Sequence, residues 1–97
     1  MLKHVVFMKF REGAAERDIC DMEKGLASLP ASIPEIRQYE FGRDKREERV
    51  YDFVLISAFP DADALKRYQA HPDHITVLNK VRALCKKIVA ADFELNL

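Results

Sequence analysis

Hydrophobic and polar positions alternate over residues 2–10, LKHVVFMKF, with Leu2, His4, Val6, Met8 and Phe10 on one side and Lys3, Val5, Phe7 and Lys9 on the other. That two-residue period predicts a β-strand, and both of its faces carry apolar residues. The period changes over residues 14–29, where Ala15, Ile19, Met22, Leu26 and Leu29 recur at three- and four-residue steps. This is the stripe of an amphipathic helix, with Glu16, Arg17, Asp21, Glu23 and Lys24 off it. Pro30 and Pro34 are predicted to end the helix, because proline lacks a donor and disfavours helix in the residue before it. Residues 35–44, EIRQYEFGRD, read as a weaker strand and 50–59, VYDFVLISAF, as a strong one rich in β-branched and aromatic residues. The sign-alternating run between them reads as a solvated hairpin tip.

Pro60 and Asp61 supply a turn and an N-cap for a short helix marked by Ala64, Leu65 and Tyr68. It stops near His71, which Pro72 forces out of helical backbone, and helix resumes over residues 73–86. There His74, Leu78, Val81 and Cys85 form one inward stripe. The segment 87–95, KIVAADFEL, reads as a last strand with Val89, Ala91, Phe93 and Leu95 on one face. Strand, helix, two strands, a helix pair and a strand make the split βαβ order of an α+β, ferredoxin-like protomer: a four-stranded antiparallel sheet with helices on one face. Helices cover one side of a sheet only. The apolar residues on the other side of residues 2–10 and 50–59 therefore predict a second copy packed face to face, a homodimer closed into an α+β barrel.

Composition narrows the function. The chain has 97 residues, read as a single domain spanning 1–97, with 16 basic and 16 acidic side chains and formal net charge zero. A domain of this size buries only roughly 60–68% of the surface its unfolded chain exposes, so a sizeable pocket leans on a partner. Neutral charge gives no footprint for nucleic acid or an anionic membrane, and the pattern of stacking aromatics used by RNA-binding sheets is missing. Lys3, His4 and Lys9 interrupt the N-terminal apolar run, so neither a signal core nor a membrane span is expected there. Cys20 and Cys85 lack C-x-x-C spacing and fit free thiols in a reducing compartment, which makes cytoplasmic residence the expectation. No phosphate-cradling glycine loop or serine elbow occurs among the three glycines.

The histidines are the candidates for chemistry. His74, at a helix start, is either a packed histidine with a local hydrogen bond or a neutral imidazole able to act as a general base. Tyr68 precedes it by six residues across the Pro72 break, where helical spacing does not make them neighbours but a corner could. His4, amid Leu2, Val6 and Met8, is either a satisfied core histidine or a polar group lining a pocket, while His71 shapes the turn. A metal site built from His71, Asp73 and His74 is disfavoured, since H-P-x-H breaks the helix that would aim both imidazoles together; no metal and no cofactor is expected.

The segments KHVVFMKF, YEFGRD, YDFVLISAF, Y-x-x-HPDH and ADFEL together resemble the stress-responsive α/β-barrel domain, or Dabb, family over essentially the whole chain. The resemblance implies a ferredoxin-like protomer and a homodimeric barrel. It also implies a comparison with plant polyketide cyclases, in which a Tyr and a His line a pocket and drive an intramolecular aldol closure without cofactor. The cyclase Tyr and His match Tyr68 and His74, and the first-strand His matches His4. A further pocket histidine falls on Phe53, which makes the pocket more apolar. Two readings follow. One is a homodimer binding a small hydrophobic molecule in a pocket edged by His4, Tyr68 and His74, with Phe53 a further ligand-binding candidate. The other is a cofactor-independent acid–base enzyme, a cyclase, isomerase or monooxygenase, with His74 as base and Tyr68 as hydrogen-bond donor.

Overall fold

The computed structural model describes residues 1–96. The elements run β1 (Leu2–Phe10), α1 (Glu16–Ser32), β2 (Gln38–Arg43), β3 (Phe53–Phe59), α2 (Ala62–Ala70), α3 (Pro72–Leu84) and β4 (Cys85–Glu94). The strands form one antiparallel sheet in the order β2-β3-β1-β4, the ferredoxin-like arrangement expected from the chain order.

Register sorts the side chains into two faces. His4 lies opposite Ser57 and Asp92, Val6 opposite Leu55 and Ala90, and Met8 opposite Phe53 and Ile88, all facing the helix layer. Ile19, Met22, Leu26 and Leu29 of α1 and Val77 and Val81 of α3 complete this core, each nearly solvent-free. A close approach of α1 and α3 sets the height of α3 above the sheet. A Cβ on Gly25 would lie 3.1 Å from Val77 Cγ2, so the glycine admits the contact. The opposite face presents Val5, Phe7, Val54, Ile56, Val89, Ala91 and Phe93, with no helix over it. Ile56 and Phe93 remain 37% and 51% exposed there, leaving a row of large apolar side chains in water.

Several boundaries differ from the sequence expectation. Helix α1 runs through Pro30 to Ser32. A proline in the last turn costs one backbone bond, and the burial of Leu29 and Ile33 on either side outweighs it. Residues 50–52 are not strand: the Asp52 carboxylate accepts the Phe10 N–H at 2.8 Å and ties this loop to the end of β1. Cys85 is not on the α3 stripe. The helix ends at Leu84, and Cys85 opens β4, though it is buried all the same. Ala15, assigned to the α1 stripe, is instead the exposed N-cap. The α2–α3 corner is as expected: Asp61 caps α2 by accepting the Ala64 N–H at 2.8 Å, and His71 caps α3 by accepting the Asp73 N–H on its Nδ1 at 3.1 Å, with Pro72 at the first helical position.

Candidate functional site

Between α3 and the β1–β4 half of the sheet lies a cavity of about 360 Å³, at the lower end of the range of small-molecule sites. Val6, Met8, Leu26, Leu55, Val77 and Val81 make its walls apolar; its polar members are His4, Tyr68, Gln69, His74 and Arg82. Ile88 and Ala90 of the edge strand β4 form its outer lip.

The α2–α3 corner brings Tyr68 and His74 together, their ring centroids 4.3 Å apart at 49°. The His71 cap and Pro72 turn the chain back within one residue of the end of α2, which places the first turn of α3 against the last turn of α2. Tyr68 is 1% exposed and packs on Phe59 at a centroid distance of 4.9 Å. Its hydroxyl lies 2.8 Å from that of Tyr39 on β2. If Tyr39 donates, the Tyr68 proton is free to point into the cavity. Burial raises the pKa of both phenols, so Tyr68 stays protonated and remains a donor across the physiological range.

His74 Nδ1 lies 3.2 Å from the Gln69 carbonyl oxygen, which can only accept. Nδ1 therefore carries a hydrogen, and in the neutral ring the lone pair is on Nε2. Burial lowers the His74 pKa; the Gln69 bond opposes this, and His4, Arg82 and His71 add smaller unfavourable contributions for the charged form. The imidazole is thus neutral at pH 7 with a basic nitrogen available. His4, buried opposite Asp92, has its Nδ1 2.5 Å from the Asp92 carboxylate, which fixes that ring's tautomer and orientation as a second-layer carboxylate does for a working histidine.

Of the four site residues expected from sequence, His4, Tyr68 and His74 therefore share one cavity, whereas Phe53 does not line it. Phe53 is fully buried, stacked on Phe41 at 5.8 Å and tilted against Phe10 at 6.1 Å. It lies four residues along β3 from Ser57, the partner of His4, or roughly 13 Å down the sheet. Sequence reasoning missed Tyr39, Asp92 and Arg82. Alternation along β2 would have put Tyr39 on the helix-facing side, and the face of β4 opposite Val89, Ala91 and Phe93 would have given Asp92. Among the described residues, no three His, Cys, Asp or Glu side chains converge as a metal-ligand set, and no helix is long and apolar enough to cross a membrane.

An uncovered apolar sheet face and a tyrosine–histidine cavity under the helices, on a four-stranded antiparallel sheet, define the class: a ferredoxin-like α+β protein. The chain belongs to the stress responsive A/B barrel domain family, whose model matches residues 2–95. It is similar to the stress-response A/B barrel domain-containing protein HS1 of Arabidopsis thaliana, 26% identical over 96% of this chain and 88% of that protein. Olivetolic acid cyclase of Cannabis sativa is 23% identical over 95% of this chain and 94% of its own length. Among solved structures, a dimeric ferredoxin-like protein of unknown function from Thermobifida fusca superposes with a TM-score of 0.88 at 28% identity, covering 97% of this chain and 90% of that one.

Proposed function

We propose that the protein is a homodimer, paired through the open sheet face, whose cavity binds a small, largely apolar molecule bearing a carbonyl-type oxygen. The observation that carries this reading is the packing of the Tyr68 and His74 rings, centroids 4.3 Å apart, in the lining of a largely apolar cavity. A buried donor and a neutral acceptor placed side by side fix the orientation of a polar group, while the apolar walls supply most of the contact area. The dimeric description of the Thermobifida fusca relative and the exposed apolar row on the sheet support the assembly.

The tautomer of His74 favours a second reading, that the site also performs acid–base chemistry. Its Nε2 can take a proton from a carbon flanked by two carbonyls, leaving imidazolium and an enolate. The Tyr68 hydroxyl, polarised by Tyr39, donates to the oxygen on which that charge settles. The cannabis relative is a cyclase, and cyclisation is chemistry of a kind that such a pair can serve.

Exchange of the acidic methylene hydrogens of benzoylacetone in D2O, followed by proton NMR, tests the chemistry directly. Exchange is expected to exceed the buffer rate, and His74→Gln and Tyr68→Phe are each expected to reduce the enzymatic rate by about 10²-fold or more. Exchange at the buffer rate, or a wild-type rate in His74→Gln, refutes the acid–base reading. Ring-conserving Tyr68→Phe and amide-bearing His74→Gln keep most of the packing, so loss of rate with an unchanged melting midpoint is a loss of chemistry.

A further inference from the structure

We infer that Arg82 makes the cavity a receptor for carboxylates: a molecule with an apolar body whose anionic end pairs with the Arg82 guanidinium at the mouth. The inference rests on the reading of this cavity as a small-molecule site and names the class of molecule it selects.

Three observations carry it. The first is placement. His74, Leu78 and Arg82 are spaced i, i+4 and i+8 on α3, and all three line the cavity. Two helical turns, about 12 Å of rise, separate the backbones of His74 and Arg82. Long helical side chains lean back toward the N-terminus, so the guanidinium reaches over the Leu78 turn toward His74. Arg82 accordingly contributes to disfavouring the charged form of that ring.

The second is the absence of a partner. Among the described residues Arg43, Arg46, Arg49 and Arg67 each hold a carboxylate in a hydrogen-bonded ion pair, Arg17 lies near Asp18, and Arg11 and Arg37 donate to backbone carbonyls. Among the described residues, Arg82 alone of the eight arginines has neither an ion pair nor a hydrogen bond. The carboxylates of the facing strand are already engaged, Asp92 by His4 and Glu94 by the N-terminal ammonium.

The third is the character of the surroundings. Ile88 and Ala90 across the mouth, and Leu78 and Val81 beside it, are apolar. Arg82 is itself exposed beside these side chains, and its planar fork matches a carboxylate in two parallel hydrogen bonds. The same fork would repel a cationic ligand, so it selects as well as binds. A bound molecule would then place its carboxylate at Arg82 and its apolar body along Val77 and Val81. A second oxygen would reach Tyr68 and His74.

Titration of the protein at pH 7.5 with the matched pair 4-butylbenzoate and 4-butylbenzamide, followed by amide shifts in ¹H–¹⁵N spectra, tests this. The two probes have nearly the same shape and differ in charge. The benzoate is expected to bind at least 10-fold tighter than the amide, with shifts clustered at His74, Leu78 and Arg82. Arg82→Met, which keeps the aliphatic stem, should bring the ratio to within twofold, and Arg82→Lys should retain part of the preference. Lys86→Gln with Lys87→Gln, which removes two exposed charges that do not line the cavity, should change nothing. Equal binding of the two probes, or a preference that survives Arg82→Met, overturns the carboxylate inference and leaves the cavity reading standing. Failure of both probes to shift the cavity residues at millimolar concentration overturns both.

Discussion

Ile56→Asp is expected to convert the protein from dimer to monomer. Ile56 stands mid-strand on the uncovered face of the sheet, opposite Val5 on β1 and Glu40 on β2. Face-to-face pairing of two sheets would bury Ile56 near the centre of the interface. Two-fold symmetry places the substitution in the interface twice, and a carboxylate left there without a partner costs several kcal/mol at each site. The dimer dissociation constant should therefore rise by roughly 10³-fold or more, since about 1.4 kcal/mol is tenfold. In the free protomer Ile56 is 37% exposed, so the variant should keep its fold and its circular dichroism spectrum. Sedimentation velocity at micromolar concentration distinguishes the outcomes. A variant that sediments as a dimer with wild-type affinity shows that the partner does not cover this face.

Phe53→Ala is expected to be the most destabilising single substitution in the sheet. The ring is fully buried between Phe41 and Phe10, and truncating such an aromatic costs about 3–5 kcal/mol. That is a large share of the roughly 5–15 kcal/mol available to a small domain. At about 4 °C or more per kcal/mol, the melting midpoint should fall by roughly 12 °C or more. Phe53→Leu, which retains most of the volume, should cost far less and leave ligand binding at the His74 cavity unaltered. A Phe53→Leu variant of normal stability but altered cavity affinity would place this ring at the ligand rather than in the core.

Phe53 also shows where the sequence ceases to be a guide. The family resemblance put it at the pocket; its register opposite Met8 does place it on the helix-facing side. Alternation does not say how far along the strand a side chain lies from a site, and four residues carry Phe53 from the level of His4 into the aromatic cluster. The fold itself was legible because every element carries its own period: the two-residue period of residues 2–10, the stripe from Ile19 to Leu29, and the punctuation by Asp61 and Pro72. Element ends were less so. Pro30 sits inside α1, since burial of neighbouring side chains overrides a local preference. The Tyr68–His74 contact crosses a helix break, so no periodicity encodes it; the corner formed by His71 and Pro72 does. Tyr39 and Asp92 lie 29 and 88 residues from the side chains they bond, and only the register of the assembled sheet brings them in. Arg82 escaped notice because a lone exposed arginine on a helix is ordinary until its neighbours are known to lack carboxylates.

His74 is read as a neutral imidazole, protonated on Nδ1, lining the cavity beside Tyr68. A pH titration of its ring by ¹⁵N-edited NMR, with and without benzoylacetone, reports both the charge state and the tautomer. Because burial opposes the charged form, the midpoint should lie below the ordinary histidine value of about 6.5, so that the neutral form predominates at pH 7. The neutral ring should show the Nδ1–H tautomer, and the diketone should move its Nε2 resonance. An ordinary midpoint with the Nε2–H tautomer, or ring signals indifferent to the diketone, would contradict this reading.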